Sequence, residues 1–188
     1  MNRLIVFLKS NTFTLLLALA LFGWVAWERA PNWIQQWQLR GKPVPVIAAL
    51  SVPPDGGRSA SVDPVRRGQK TLLVFWATWC GFCRSDIPDL NQLHSELEGR
   101  GLHIAAISEE HPLALRNFRD QTPMNYDIYS DRDGQLHRAY SIQAYPTLVY
   151  LDAEGRIESM STGMNLALKA RVRRWATGSL LAALGLAL

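Results

Sequence analysis

Cysteine is scarce in this chain, and the residues that would give it most of its common roles are missing. Cys80 and Cys83 are the only two cysteines in 188 residues. No second cysteine pair and no histidine pair at three-to-five spacing accompanies them, so a structural zinc site would lack half its ligands. Position 84 is arginine, not histidine, which excludes covalent haem attachment. The four histidines, His94, His103, His111 and His137, are scattered without metal-ligand spacing and read as surface residues. Met124, Met160 and Met164 read as core or loop packing before a copper box, so no metal site is expected. Concentrated positive charge is also missing. The net charge of +4 is modest and not gathered into a basic patch interleaved with aromatics, which argues against nucleic acid as a partner.

Residues 11–27 lack any charged side chain, with Arg3 and Lys9 before them and Glu28-Arg29 after. The run is at the short end for a membrane span, but Trp24 and Trp27 sit where interfacial aromatics belong. A cleaved signal peptide is the competing reading, with Ala18-Leu19-Ala20 as its cleavage triplet. The apolar character continues past that triplet through Val25, which favours a retained anchor. Both readings leave residues 1–10 in the cytoplasm and carry the cysteines outside it, where disulfides persist. In a Gram-negative cell the protein would be single-pass in the inner membrane, its catalytic domain in the periplasm. Residues 28–43, with Trp33 and Trp37 at i,i+4 spacing, read as a juxtamembrane helix ending at Gly41 and Pro43. Residues 44–176 read as one domain. Residues 177–188 form an apolar tail too short to span a bilayer; it reads as packed or frayed, ahead of an interfacial contact beside Lys169, Arg171, Arg173 and Arg174.

What is present is a Cys-Gly-Phe-Cys sequence at a strand-to-helix junction. An apolar, β-prone run, 71–76, leads into Cys80, and a helix pattern over 80–99, broken at Pro88, follows it. That places the first sulfur at a helix N-terminus, where it is expected to be exposed and acidic, with Cys83 close enough to close a disulfide. A purely structural staple around so small a loop would restrict the unfolded chain little, and a buried apolar pair is the other alternative. The spacing therefore points to redox chemistry, with Cys80 as nucleophile and Cys83 as resolving thiol. Asp86 lies about one turn beyond Cys83, where a carboxylate raises the thiol's pKa and accepts its proton; an exposed helix acid is the alternative. Trp79 and Phe82 are expected to form an apolar collar, and Trp76 to be core.

The rest of the domain alternates. Strands are expected at 102–108 and 126–130 and helices at 111–121 and from the Asp133-Gly134 turn to Tyr140. A β-hairpin over 147–152 and 156–160 and a closing helix over 164–175 follow. Before the cysteines, 44–50 reads as an added strand and 51–70 as a long loop with a short strand near 58–62. Alternation followed by a hairpin implies a mixed sheet between helices.

The run Phe75-Trp76-Ala77-Thr78-Trp79-Cys80-x-x-Cys83, the following Ile87-Pro88, and Tyr145-Pro146-Thr147 leading into Leu148-Val149-Tyr150-Leu151-Asp152 and Gly155 resemble the TlpA-type thioredoxin-fold proteins. The Cys83-Arg84 step, and a late segment from Gly163-Met164 ending in basic residues and a tryptophan, resemble their membrane-anchored subgroup tied to suppression of copper sensitivity. The resemblance implies a thioredoxin fold, a mixed central sheet flanked by helices, with an N-terminal strand extension behind one transmembrane helix. It implies a cis Tyr145–Pro146 bond opposite the cysteines, exposing the Tyr145 backbone beside Thr147 to an extended substrate. At position 86 it implies an acid, commonly the longer glutamate; at position 82 many relatives have proline, and thioredoxin itself has a buried aspartate where Val74 stands. It further implies an integral-membrane reductant of the DsbD type, or a copper-tolerance relative, as partner. The expected activity is extracytoplasmic thiol–disulfide exchange with cysteine-containing proteins, more as reductant than oxidant. Its redox group is the Cys80–Cys83 disulfide, without other cofactor, and Trp79, Gly81, Phe82, Tyr145, Pro146 and Thr147 meet the substrate. Two alternatives of another class stay open: Cu(I) held by the two thiolates, or client binding without turnover.

Overall fold

The structure, a computed structural model, describes residues 14–25 and 39–178. The expected cytoplasmic segment 1–10, Trp33 and Trp37 of the juxtamembrane segment, and the tail beyond Gly178 lie outside the described residues. Residues 14–25 form helix α1, along which Leu16, Leu19, Leu21, Phe22 and Trp24 are exposed. No helix among the described residues is long and apolar enough to cross a membrane. The expected span, 11–27, extends past them at both ends.

The second unit begins at Leu39, ahead of the expected boundary at 44. The added residues are held by the hairpin near the other end of the chain: the Gly41 N–H donates to the Ile157 carbonyl at 2.8 Å and the Val44 N–H to that of Gly155 at 3.1 Å. The elements are β1 (Ala49–Ser51), β2 (Ser61–Val62), β3 (Lys70–Phe75), α2 (Gly81–Leu97), β4 (Leu102–Ser108), α3 (Pro112–Gln121), β5 (Asp127–Ser130), α4 (Gln135–Ala139), β6 (Thr147–Leu151), β7 (Ile157–Thr162) and α5 (Leu168–Thr177). The strands form one seven-stranded sheet in the order β2-β1-β5-β4-β3-β6-β7. β3 and β4 are parallel, as are β4 and β5, whereas β6 runs antiparallel to β3 and β7 to β6. This is a thioredoxin-like α/β fold with a mixed sheet and flanking helices.

The apolar runs of β3, β4 and β6 are buried on both faces, as the centre of a covered parallel sheet requires. Alternate side chains divide between two cores. Leu72, Val74, Trp76, Ile104, Ala106, Leu148 and Tyr150 join the faces of α2, α3 and α5 in one. Leu73, Phe75, Ala105, Ile107, Val149 and Leu151 meet Leu136 and Tyr140, in and just after α4, in the other. At roughly 1.5–3 kcal/mol per fully buried large apolar side chain, these two layers dominate the fold's stability.

Several expectations are corrected. α2 is not broken at Pro88, which lies inside it and is exposed. The proline removes one hydrogen bond, but Cys83, Ile87, Leu90, Leu93 and Leu97 bury a continuous helical stripe that holds the segment together. β1 starts at Ala49 instead of 44, because Pro43 and Pro45 have no N–H to give a ladder. It pairs with β2 as a small antiparallel hairpin that adds to β5. Buried Arg119 anchors this addition, donating to the carbonyls of Val52 and Tyr126 at 2.6 Å each. α5 starts at Leu168, after a loop in which Met164 and Leu166 are exposed; Met124 is buried.

Three of the four histidines are buried, contrary to the surface reading. Each packs into the core with a carboxylate nearby: His94 Nε2 lies 3.1 Å from Glu98, His103 Nε2 3.9 Å from Asp127 and His137 Nδ1 2.7 Å from Asp131. Only His111 is exposed, capping α3 by accepting from the Leu113 N–H at 3.2 Å.

Candidate active site

The site forms where β3 leaves the sheet. Trp76 remains buried and its backbone N–H donates to the Ile107 carbonyl at 3.0 Å, which carries the strand one residue past its ladder. Thr78 then turns the chain: its N–H and its hydroxyl donate to the two oxygens of Glu110, at 2.7 and 2.6 Å. The Ser108 hydroxyl donates to the same carboxylate at 3.1 Å, and that of Ser130 to the Glu110 backbone carbonyl at 2.7 Å. Glu110, which sequence reasoning missed, therefore pins the loop before the cysteines to the ends of β4 and β5. The signal available was an acid pair directly after a buried strand, at the carboxyl edge of a parallel sheet.

Cys80 is the N-cap of α2, and the Cys83 N–H donates to its Sγ at 3.2 Å. The two cysteines form a disulfide with their Cα atoms 5.3 Å apart. The expectation of an exposed Cys80 is corrected: it is 7% exposed, against 3% for Cys83. In the oxidised pair its sulfur is tied back onto Cys83. Trp79 and Phe82, at 73% and 57%, stand out on either side, and Gly81 faces open space.

Asp86 lies half-buried on α2, one turn past Cys83. Burial, and secondly the charge of Asp89, push its carboxyl up to about 6. Its charge is felt by the Tyr126 hydroxyl, which burial pushes up strongly. A carboxyl so raised exchanges between its protonated and ionised forms near neutral pH.

Opposite, the Tyr145–Pro146 bond is cis. The Trp79 and Tyr145 rings meet at 5.9 Å, joining the loop before Pro146 to the cysteine loop. The Tyr145 hydroxyl donates to Glu109 at 3.0 Å, and burial first, then this acceptor, keep it protonated. Pro146 is buried, and so is Thr147, whose hydroxyl is turned inward, donating to the Ala144 carbonyl at 2.7 Å and lying 3.0 Å from the Thr162 hydroxyl. The Thr147 side chain shapes the proline loop from beneath. Glu109 and the Asp131–His137 pair line or back a pocket here and were likewise missed; Glu109 meets its partner Tyr145 36 positions on, and His137 meets Asp131 across the turn into α4. Among the described residues no three His, Cys, Asp or Glu side chains gather as a metal site.

Comparison with known proteins agrees with this geometry. The chain is 31% identical over 98 residues to the thiol-disulfide oxidoreductase ResA of Geobacillus kaustophilus, covering 52% of this chain and 56% of that one. It is 32% identical over 111 residues to the thioredoxin-like protein YneN of Bacillus subtilis, 57% of this chain and 64% of the relative. The chain thus spans little more than half the length of such relatives. Among solved structures, a putative thiol:disulfide interchange protein DsbE from Chlorobium tepidum superposes with a TM-score of 0.64 at 26% identity, over 78% of this chain and 98% of the other. The AhpC of Enterococcus faecalis, at 18% identity and a TM-score of 0.66 over 80% and 98%, shares the fold. The family model that matches residues 41–160 takes in both the cysteine loop and the proline loop, and by that match the chain belongs to the AhpC/TSA family.

Proposed function

We propose that this protein is a membrane-tethered, extracytoplasmic thiol–disulfide oxidoreductase that reduces disulfides in cysteine-containing proteins. The observation that carries the proposal is the Cys80–Cys83 disulfide at the N-cap of α2, beside the cis Tyr145–Pro146 loop and one turn from a carboxyl whose pKa stands near 6. The names of the relatives support it.

In the reduced protein, the α2 N-terminus and the Cys83 N–H stabilise a Cys80 thiolate. That thiolate attacks one sulfur of the client disulfide; the Cys80–client bond forms and the client's other sulfur leaves as thiolate. Cys83 passes its proton to Asp86 and attacks the Cys80 sulfur, so that the Cys80–Cys83 bond forms and the second client thiolate departs. Two electrons have moved to the client. A dithiol donor restores the pair, and an integral-membrane reductant of the DsbD type fits this role. The α1 segment and its exposed apolar residues support an anchor in the inner membrane, with the domain in the periplasm. An anchor would raise the effective concentration of protein at a membrane donor. The Cys83-Arg84 step and the basic, tryptophan-bearing α5 favour the copper-sensitivity-suppressor subgroup and a role in copper tolerance.

The test is the reduction potential of the pair in the full-length chain, equilibrated against glutathione or dithiothreitol buffers. A value near thioredoxin's, about −270 mV, supports the reductant; one near about −120 mV makes the protein a disulfide donor. In parallel, Cys83→Ala should trap clients as mixed disulfides on Cys80. A pair that does not cycle, with no trapped client, refutes the proposal.

A further inference from the structure

The pocket between the Trp79 and Tyr145 loops has features that thiol exchange does not require. It has a volume of about 340 Å³, and Trp79, Glu109, His137 and Tyr145 are among its lining residues. His137 is 6% exposed and held by Asp131, itself 2% exposed. The Asp131 carboxylate lies 2.7 Å from His137 Nδ1 and accepts the backbone N–H groups of His137 at 2.9 Å and Leu136 at 3.1 Å. Burial pushes the Asp131 carboxyl up, but these bonds outweigh it and hold it below its ordinary range. An ionised carboxylate only accepts, so Nδ1 carries a proton and donates to it. The ring's Nε2 is buried and has no hydrogen-bond partner.

An acceptor lines the same space. Glu109 takes the Tyr145 hydroxyl on one oxygen and belongs to no ion pair among the described residues. Arg138 approaches from behind, its Nη1 and a Glu109 oxygen both lying against Gly134, but that nitrogen donates to the Asp133 carbonyl at 2.7 Å. The walls are the Trp79 and Tyr145 rings, and the His137 ring meets that of Tyr145 edge-on at 5.7 Å. The pocket thus offers a carboxylate, the edge of an imidazole and aromatic surface, with a second carboxylate behind the imidazole. An anionic group would be repelled by Glu109, and an apolar one would gain nothing from its carboxylate. A cation carrying N–H donors on an apolar stem matches both the Glu109 carboxylate and the rings.

We propose that this pocket is a specificity subsite that receives a cationic side chain, lysine or arginine, from a client segment docked against Cys80. The proposal rests on the oxidoreductase reading for what brings a client there. Trp79 directly precedes Cys80 and Tyr145 directly precedes Pro146, so the basic residue lies within a few positions of the client's cysteine, an extended chain advancing about 3.3 Å per residue.

The test uses the full-length chain in detergent micelles and short peptides with one internal disulfide. The peptides differ only beside a cysteine, lysine against norleucine, and the readout is the ratio of their kcat/KM values. That ratio cancels any general loss of folding or chemistry. The expected preference for lysine is about tenfold, as a charge-assisted hydrogen bond supplies. It should fall to within about twofold in Glu109→Gln, which keeps the shape, and in His137→Leu. A ratio near one, or a preference that survives both substitutions, overturns the subsite while leaving the oxidoreductase reading in place. Serine-for-cysteine peptides separate the two claims, read by the ¹⁵N shift of the His137 ring. If no peptide is turned over but the lysine version alone moves that nitrogen, the subsite stands and the oxidoreductase reading falls. No turnover and no shift refute both.

Discussion

Asp86 is expected to weaken the fold at the pH where it serves the chemistry, and Asp86→Asn separates the two effects. Its carboxyl rises from 3.8 to about 6 on folding, by burial first and then by Asp89. At about 1.36 kcal/mol per pH unit, this corresponds to about 3 kcal/mol between the protonated and charged forms. The group is half-exposed, and water screening brings the figure to about 1.5 kcal/mol. The sign follows from linkage: a carboxyl with a raised folded pKa binds its proton more tightly in the native state. Its contribution is fully present below pH 3.8 and is lost as the pH rises through 6. Asparagine does not titrate, so the variant should match the parent at low pH. It should become more stable by about 1.5 kcal/mol above pH 7, or about 3–6 °C in Tm for a domain of this size. Urea denaturation of both oxidised proteins at half-unit steps from pH 4 to 8 reads the difference directly. The same variant should resolve mixed disulfides about a hundredfold more slowly at pH 7, since Cys83 loses its proton acceptor. A stability difference that is flat with pH, or a variant less stable above pH 7, would refute the burial argument. An unchanged resolution rate would remove Asp86 from the chemistry.

Three other expectations follow from neighbouring groups. Glu110→Gln keeps the size of the side chain but weakens both bonds from Thr78, so it should lose about 1–3 kcal/mol in chemical denaturation. His103, which burial and secondly Arg66 push down to about 4, is buried neutral and contributes stability above pH 6.5 that is lost as the pH falls through 4. His103→Leu should flatten this acid limb, and pH-dependent Tm measurements check it. Phe82 is 57% exposed, so Phe82→Ala should change stability by less than about 0.5 kcal/mol while raising KM for peptide disulfides.

What could be read from the sequence is what repeats along it. β4 is expected and found at Leu102–Ser108, because a mostly apolar, β-prone run between Gly101 and an acid pair permits little else. The first cysteine is found at the helix cap for the same local reason. Pairings across elements leave no such trace. Pro88 reads as a break because its local chemistry is unfavourable, and only the buried stripe on either side of it overrides that. His94, His103 and His137 read as surface residues because polarity is visible in sequence, while the space each enters in the core is not. Yet the missed residues have a common address. Cys80 follows β3, Glu109 and Glu110 follow β4, and Asp131 follows β5. These three strands are mutually parallel, so their carboxyl ends lie along one edge of the sheet. Each strand delivers the residues that follow it to that edge, where the backbone stops pairing and side chains become free to do chemistry. A reactive residue at the end of one parallel strand therefore directs attention to the residues ending its neighbours. Applied to this chain, that rule finds both carboxylates that hold the Thr78 and Tyr145 loops and the one that orients His137.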